Sequence, residues 1–404
     1  MSTQTDKHSV IVVGAGPSGL FLAGELAAAG VRTLVLDREP GPAQTPKGNG
    51  VVGRAAVELR RRGIFDGAGL RVVRAPQFRF GPLTLRLGLV GSPLHLVAVP
   101  QRRLEELLER WAVRQGATFL RGHEVTAFDQ DGDGVTVRAS VDGSPVALRA
   151  EYLVGCDGAR SHVRKRLGID FPGVTSGDIS RQARVTLPAG AVALTRDRVE
   201  VPGVGALPLF RPHLTERGSM TLAPVRALDP SAPDDVYLVA TREPNGAAAP
   251  TDELPDDELR ASIRRVLGAD LPYTTSSSAR SVVGNSRHVS RYGAGRVFLA
   301  GDAAHVFSAG GSSINAGILD AVDLARTLTA ALAAGAGASA VDGYHARRHA
   351  ANERTLALTR LQHDLEGAGS WGEALRGLVS GLLASRGGAR RIGALLEGCR
   401  TARF

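Results

Sequence analysis

The chain has 404 residues, a formal net charge of +9, 43% hydrophobic residues and two cysteines. This length is enough to bury a sizeable core and predicts two or three domains. The basic balance does not indicate nucleic-acid binding, because the basic residues are overwhelmingly scattered arginines without interleaved aromatics. The two cysteines exclude a disulfide framework and offer no metal-ligand spacing, so no metal is expected.

No segment has the length and apolarity of a signal peptide or a membrane span. The residues before the first apolar run, MSTQTDKHS, are polar, and the only long hydrophobic stretch is interrupted by a glycine turn and by Glu25. We therefore expect a cytoplasmic protein that has neither a nucleic-acid nor a membrane partner.

The first motif is the segment VIVVGAGPSGL, at 10–20. It predicts a buried strand at 10–13, a glycine turn and a helix at 20–29. In such a turn Gly14 allows the tight bend, Gly16 lets the main chain approach a pyrophosphate, and Gly19 lets helix and strand pack closely. The phosphates then meet the free N–H groups and the positive dipole end of the helix.

A second apolar strand, at 32–36, runs into Asp37. This carboxylate follows the glycine turn by about 20 residues, the spacing at which an acidic residue binds a ribose hydroxyl of a dinucleotide. Strand, turn, helix and strand together therefore predict a dinucleotide site rather than an ordinary glycine-rich turn.

The middle of the chain predicts two kinds of sheet. Residues 75–96 alternate in polarity, as strands with one wetted face do. Further on, the sequence predicts a helix at 101–115, strands at 118–120, 124–129, 135–140 and 152–156, and a hairpin turn at 131–134. Residues 171–285 contain short strands interrupted by Gly and Pro, with a helix near 255–267, and predict a second, mostly antiparallel sheet.

A late segment, RVFLAGDAAHVF at 296–307, predicts another strand that ends in Gly301-Asp302. A Gly/Ser loop at 308–313 and a helix from about Ile314 follow, and 338–404 has helical periodicity. Asp302 can bind ribityl hydroxyls, and the N–H groups at the start of the late helix can face the pyrimidine edge of a flavin. This second site favours FAD, because a nicotinamide dinucleotide needs only the first.

Three motifs in this order resemble the single-component FAD-dependent aromatic hydroxylases, which share the para-hydroxybenzoate hydroxylase-like fold. They are the glycine fingerprint, the segment GCDGARS at 155–161 with Arg164, and the segment GDAAH at 301–305. The segment VPQRRLEELL at 99–108 also resembles a family helix that contacts the flavin. The similarity is greatest to members that act on polyketides and related natural products, and it spans essentially the whole chain.

The resemblance implies an α/β fold. An FAD-binding Rossmann-like domain of the glutathione-reductase type is interleaved with a mostly antiparallel β-sheet substrate domain, and C-terminal helices follow. The expected FAD-binding domain comprises 9–75, 97–170 and 286–334, the substrate-binding domain 76–96 and 171–285, and the C-terminal helical segment 335–404. No thioredoxin-like C-terminal domain is expected.

The motifs and the resemblance together imply a set of FAD contacts. Gln101 and Arg102 also fit an ordinary exposed helix start, and Lys47 stands where the family often has Arg beside the pyrophosphate. The expected contacts are Gly14, Gly16, Pro17, Ser18, Gly19, Asp37, Arg38, Lys47, Gln101, Arg102, Val125, Asp157, Gly158, Gly301, Asp302, Ala309, Gly310, Gly311, Ser312, Ser313, Ile314 and Asn315.

By resemblance, Asp157, Arg160 and Arg164 also serve the co-substrate, NADPH or NADH. The structural alternatives are a helix N-cap formed by Asp157 or Ser161 and a solvated helix face for the basic run at 164–166. His305 is interpreted mainly as a residue that orders its loop by hydrogen bonds, with proton transfer as the alternative. No catalytic side chain is assigned, because the flavin carries the chemistry.

The implied reaction is that of an FAD-dependent monooxygenase. NAD(P)H and O₂ would be consumed, and a C4a-(hydro)peroxyflavin would insert one oxygen atom into an aromatic or polycyclic, polyketide-like small molecule, with hydroxylation as the first choice. Epoxidation and Baeyer–Villiger oxidation stay open, since one fold can serve all three. A flavin-binding non-oxygenase (a halogenase, a reductase or a degenerate paralogue) is the further alternative. A monomer or a homodimer is expected.

Overall fold

The computed structural model describes most of the chain. The described residues are 8–42, 50–70, 72–74, 77–86, 95–190, 193–195, 197–227, 229, 231–244, 250–274, 276–308, 312–335, 340–367 and 369–396.

Among them lie 22 strands and nine helices. The strands are β1 His8–Val13, β2 Thr33–Asp37, β3 Gly50–Val52, β4 Val72–Arg74, β5 Gln77–Phe80, β6 Leu83–Arg86, β7 His95–Ala98, β8 Thr118–Arg121, β9 Glu124–Gln130, β10 Val135–Val141, β11 Ser144–Gly155, β12 Gly173–Thr186, β13 Ala193–Leu194, β14 Arg198–Val201, β15 Gly205–Pro208, β16 Pro212–Thr215, β17 Gly218–Pro224, β18 Val236–Glu243, β19 Ser276–His288, β20 Gly293–Ala294, β21 Val297–Leu299 and β22 His305–Val306. The helices are α1 Pro17–Ala28, α2 Gly53–Arg61, α3 Gln101–Arg114, α4 His162–Arg166, α5 Asp256–Leu267, α6 Ser312–Ala334, α7 Ala340–Leu365, α8 Gly369–Ala384 and α9 Arg386–Leu396.

The first sheet has the order β20-β21-β11-β1-β2-β8, with the β9–β10 hairpin attached to β11. Strands β21, β11, β1, β2 and β8 run parallel, and Val10 at the centre faces Tyr152 on one side and Thr33 on the other. Their apolar runs are buried because helices cover the faces of a parallel sheet. The carboxyl ends of β1, β11 and β21 therefore meet at one edge, where open α/β sheets bind ligands.

Helix α1 packs deeply between this sheet and its neighbouring helices. Pro17 occupies its first turn, where the missing N–H costs nothing and the fixed φ suits a helix. This explains why the helix begins three residues earlier than its apolar pattern predicts. On the other side, Gly24 leaves room for the ring of Trp111 from α3, which also stacks on Phe21 with ring centroids 5.5 Å apart.

The second sheet is antiparallel and has the order β16-β17-β18-β12-β19-β22. Helix α5 packs on it over a separate core that includes Val185, Leu222, Val239 and Ile263. The short strand β22 comes directly after the Gly301–Ala303 turn yet pairs with the end of β19, His305 lying opposite His288. The boundary expected between residues 285 and 286 thus falls inside β19, because long strands of this sheet extend into the first domain.

The C-terminal helices cover a small hairpin and the back of the first sheet. Strands β5 and β6 pair with each other, and Phe80 and Leu85 pack against Leu358, Val379 and other residues of α7, α8 and α9. Strands β3, β7 and β4 form a separate small sheet. The architecture confirms the expected α/β class with an antiparallel second sheet and C-terminal helices.

Candidate functional site

The glycine turn between β1 and α1 has space for a ligand at one of its three glycines. Gly14 has φ +104°, and a Cβ there would overlap the carbonyl group of Cys156. A Cβ on Gly19 would overlap the carbonyl oxygen of Gly14, so both positions are filled by the protein itself. At Gly16 a Cβ would meet nothing within 4 Å. The turn therefore fits a pyrophosphate that approaches the main chain at Gly16, next to the helix N-terminus.

Asp37, at the end of β2, braces this turn. Its Oδ2 accepts a hydrogen bond from the main-chain N–H of Ala15 at 2.5 Å, and its Oδ1 accepts one from Glu39 at 2.8 Å. The neighbouring Arg38 is exposed and pairs with Glu39 at 3.2 Å. The carboxylate thus lies beside the turn, where the sequence places a ribose contact.

The Gly301-Asp302 turn follows β21 and lies against the start of α1. Gly301 has φ +62°, and a Cβ on it or on Gly317 of α6 would overlap the hydroxyl group of Ser18. Two glycines thus allow Ser18 to fit between the turn and α6, which brings both predicted motifs together. Asp302 is exposed. The turn that carries Asp302 thus lies next to the start of α1.

A buried carboxylate, Asp320 on α6, holds this turn from behind. Its Oδ2 accepts a hydrogen bond from the main-chain N–H of Gly301 at 3.1 Å and lies 2.6 Å from Nε2 of His305. Its Oδ1 accepts hydrogen bonds from Arg348 at 2.7 Å and from Asn352 at 3.0 Å. Although burial opposes ionisation, His305 and Arg348 keep the pKa of Asp320 well below its usual range. Asp320 and His305 are both fully buried, and this position fits the interpretation of His305 as a residue that orders its loop.

Sequence reasoning missed Asp320 and its partners on α7. The signal in the sequence is a lone carboxylate in the apolar stretch ILDAV of α6, since a buried charge must be paired or hydrogen-bonded. The partners Arg348 and Asn352 carry no motif, so their meeting with Asp320 depends on how α7 packs.

The second motif forms a capped helix start. Asp157 accepts hydrogen bonds from Ser161 at 2.5 Å and from the main-chain N–H groups of His162 and Val163 at 2.7 and 3.1 Å. Ser161 in turn accepts from the N–H of Arg164 at 2.9 Å. The structural alternative, an N-cap, is therefore present at both Asp157 and Ser161.

Arg164 joins the second motif to the third. Its guanidinium donates to the carbonyls of Ala303 and Ala159 at 3.0 and 2.9 Å and lies 3.9 Å from the ring centre of Phe171. The side chain is buried, and burial lowers its pKa. The expected contact between Arg164 and NAD(P)H phosphates disagrees with this position, because the donors already serve main-chain carbonyls. Arg160, by contrast, is exposed.

Some of the remaining expected FAD contacts lie among the described residues and others do not. Gln101 begins α3 after Pro100 and donates to Glu105 at 2.8 Å, and Arg102 lies 3.4 Å from Glu106, as at an exposed helix start. Val125 is buried in β9 within the main core. Lys47 and the segment 309–311 lie outside the described residues.

The first turn of α6 is tied to two neighbouring elements. Ser313 accepts from the main-chain N–H of Phe307 at 3.3 Å, and Asn315 accepts from that of Val52 at 2.8 Å. Ser308, just before the loop, bonds Ser286 of β19 at 2.8 Å. The N-terminus of α6 is therefore fixed between β3, β22 and the second sheet, where its positive dipole end suits an electron-rich ring edge.

This arrangement, a parallel sheet with a glycine turn at its carboxyl edge beside an antiparallel second sheet, is typical of proteins that bind a dinucleotide. A family model described as "FAD binding domain" matches residues 7–359. The chain belongs to this family, the single-component FAD-dependent aromatic hydroxylases, and FAD is its cofactor.

Individual relatives agree with the class. The chain is 36% identical over 392 residues to the 12-dehydrotetracycline 5-monooxygenase/anhydrotetracycline 6-monooxygenase of Streptomyces rimosus, covering 93% of this chain and 73% of that protein. The structure of CabE, an aromatic hydroxylase from angucycline biosynthesis, superimposes with a TM-score of 0.84 at 33% identity, covering 97% and 76% of the two chains. That of PyrE3, a Diels-Alderase of pyrroindomycin biosynthesis, gives 0.84 at 33% identity, covering 98% and 82%.

The relatives are named mainly as monooxygenases, and the chain is an oxidoreductase of that kind. Among the described residues, no helix combines the length and apolarity that crossing a bilayer needs.

Proposed function

We propose that this protein hydroxylates an aromatic, polycyclic natural product, with NAD(P)H and O₂ as co-substrates. The observation that carries the proposal is the position of Ser18, which lies between the Gly301 turn and α6, two residues from the open space at Gly16. Residues of both motifs would hold a dinucleotide, and the N–H groups that begin α6 would serve its ring. Relatives named for tetracycline and angucycline oxidation supply the substrate class.

In this proposal most of the predicted residues hold FAD. Bound FAD supplies electron transfer from NAD(P)H and activation of O₂. The turn of Gly14, Gly16, Pro17, Ser18 and Gly19 would hold the pyrophosphate at Gly16, with Gly14 and Gly19 shaping the turn. Asp37 with Arg38 would bind the ribose. Asp302 binds the ribityl chain, Ser312, Ser313, Ile314 and Asn315 bind the ring edge, and Gln101, Arg102, Val125 and Gly158 complete the contacts.

The protein's own work is to position the ring and to exclude water from it. The N–H groups at the start of α6 stabilise negative charge at the pyrimidine edge. The β19–β22 pairing brings the second sheet against the start of α6, so that the substrate is held between sheet and ring. We place NAD(P)H at Asp157 and the exposed Arg160, and leave Arg164 out because it is buried.

Replacement of Asp302 tests the cofactor part of the proposal. Asp302→Ala leaves ribityl hydroxyls without an acceptor, which costs about 1–3 kcal/mol, or roughly 5- to 150-fold in FAD affinity. The control is Asp323→Ala on α6, whose side chain pairs with Arg347 of α7 and is not a predicted FAD contact. Flavin absorbance per purified protein measures the loss. A variant that retains full flavin occupancy would contradict this assignment.

The reaction itself is tested with polycyclic phenols and NAD(P)H under air. The expected product is heavier by one oxygen atom, and ¹⁸O₂ labels it, as mass spectrometry detects. NAD(P)H oxidation that no aromatic compound stimulates would count against a hydroxylase.

A second candidate is a non-redox cyclisation on the same scaffold. It is favoured by the likeness to the Diels-Alderase PyrE3, whose structure matches nearly the whole chain. Such a catalyst would convert a linear polyene without NAD(P)H and under nitrogen, and its product would have the mass of its substrate. The two functions thus differ in product mass and in the need for O₂.

We further propose a cytoplasmic location, where NAD(P)H is available, and a monomer or homodimer. Light scattering after size-exclusion chromatography measures the subunit number.

A further inference from the structure

A cluster of metal-ligand side chains lies at the junction of β19 and α7, outside the set of residues proposed to hold FAD. His288 ends β19, and His349 and Glu353 lie one turn apart on α7. One ligand atom of each residue lies within 4.8 Å of the others, and no other such set of three occurs among the described residues. Because the ligands come from segments about 60 residues apart, no spacing motif in the sequence indicates them.

The nitrogen of His288 that faces this cluster has no hydrogen-bond partner. The side chain is 4% exposed, and its Nδ1 is buried without a hydrogen bond. An unpaired buried nitrogen is costly, so its position calls for a partner. The nearest is Oε1 of Glu353, at 3.5 Å.

We propose that His288, His349 and Glu353 bind a divalent transition-metal ion of the zinc class. Two imidazoles and one carboxylate, with water in the fourth position, form a familiar zinc ligand set. Tetrahedral coordination at about 2.0–2.2 Å separates ligand atoms by roughly 3.3–3.6 Å. The His288–Glu353 separation of 3.5 Å already meets this requirement. The ring of the part-exposed His349 stacks on that of His288 with centroids 4.4 Å apart, and its ligand atom lies within 4.8 Å of the other two.

The other side of His288 provides outer-shell support. Its Nε2 lies 2.9 Å from the hydroxyl of Tyr292, and that hydroxyl accepts from Asn352 at 2.6 Å. Such a contact orients a metal-ligating ring and selects its tautomer. Glu353 is exposed, which gives an ion access from solvent. The ion would link α7 to β19, next to the residues of α7 that bind Asp320.

Metal binding is tested on tag-free, FAD-loaded full-length protein, because a polyhistidine tag would bind zinc itself. After chelator treatment and desalting, equilibrium dialysis against Zn²⁺ should give one tight equivalent by mass spectrometry of the metal. With Zn²⁺ at a hundredfold excess over its Kd, the unfolding midpoint should rise by about 3 °C. X-ray absorption should show imidazole and oxygen ligands.

The variants His349→Ala and Glu353→Gln change surface-accessible ligands, so both should fold and keep their flavin. Each should weaken zinc binding at least tenfold and reduce the rise in midpoint to about half or less at the same Zn²⁺ concentration. The matched controls His213→Ala and Glu373→Gln, on β16 and α8, should bind zinc as the unaltered protein does. The proposal is overturned if unaltered protein binds no stoichiometric zinc, or if both ligand variants bind it normally. Flavin content, read in the same samples, reports on the FAD site separately.

Discussion

Asp320→Asn tests whether the buried carboxylate on α6 supports the Gly301-Asp302 turn. The substitution keeps the size of the side chain but removes its charge, leaving the guanidinium of Arg348 without its anion. That side chain is only 11% exposed. Loss of one partner from a buried ion pair costs about 3–5 kcal/mol. With an unfolding entropy of about 2.1 cal/mol/K per residue, such a loss lowers the unfolding midpoint of this chain by about 5 °C.

A matched control lies one turn further along the same helix. Asp323 pairs with Arg347 at 2.8 Å, but the two side chains are 22% and 39% exposed. An exposed pair contributes about 0–1 kcal/mol, so Asp323→Asn should lower the midpoint by about 1 °C or less. The double variant Asp320→Asn with Arg348→Met removes the unpaired cation and should recover part of the lost stability.

The assay is thermal unfolding by circular dichroism, with flavin fluorescence to measure FAD affinity. Because an amide has one acceptor oxygen where the carboxylate has two, it cannot serve both Gly301 and Arg348, and we expect Asp320→Asn to weaken FAD binding as well. Equal midpoints for Asp320→Asn and Asp323→Asn would refute the reasoning, as would a double variant less stable than Asp320→Asn alone.

The same carboxylate predicts a pH dependence. Its folded-state pKa lies below the unfolded value of about 3.9, so its contribution is fully present above that value and is lost as pH falls towards the folded pKa. The gap between unaltered protein and Asp320→Asn should therefore be the same at pH 8 and pH 5.5 and should shrink only below about pH 4.

Two paired substitutions separate binding from folding. Gly16→Val should change the stability of the FAD-free protein by no more than about 0.5 kcal/mol but abolish FAD retention. Gly14→Ala should impair folding, because its Cβ overlaps the Cys156 carbonyl; equal stabilities of the two variants in denaturant titration, with and without FAD, would contradict this. Arg164→Met should lower the stability by about 2–3 kcal/mol, because two buried carbonyls lose their donors. Arg160→Met should raise the KM for NAD(P)H at unchanged stability, and a selective KM effect in Arg164→Met would reverse the assignment.

The sequence predicts the first sheet well because its signals are local. Strand β1 is a continuous apolar run, Gly14 needs a positive φ, and the carboxylate of Asp37 ends the next strand. Each follows from neighbouring residues, and the α/β class is confirmed by the fold and the family match.

What the sequence did not predict depends on contacts between distant segments. Asp320 receives bonds from residues at 301, 305, 348 and 352, and no spacing within α6 or α7 encodes that meeting. The buried position of Arg164 was missed for the same reason, since in sequence it belongs to a basic run. The FAD contacts stay predictions, those at Ala309 and Lys47 included.

The two-residue strand β22 has a consequence for exchanging parts between relatives. It follows the Gly301–Ala303 turn by only a few residues, yet its hydrogen bonds belong to the second sheet. A chimaera that takes its second sheet from a relative must therefore carry β19 and β22 from the same parent. A junction between them would pair edge strands from different parents. Recombination points before β12 and after β22 keep the two paired strands together.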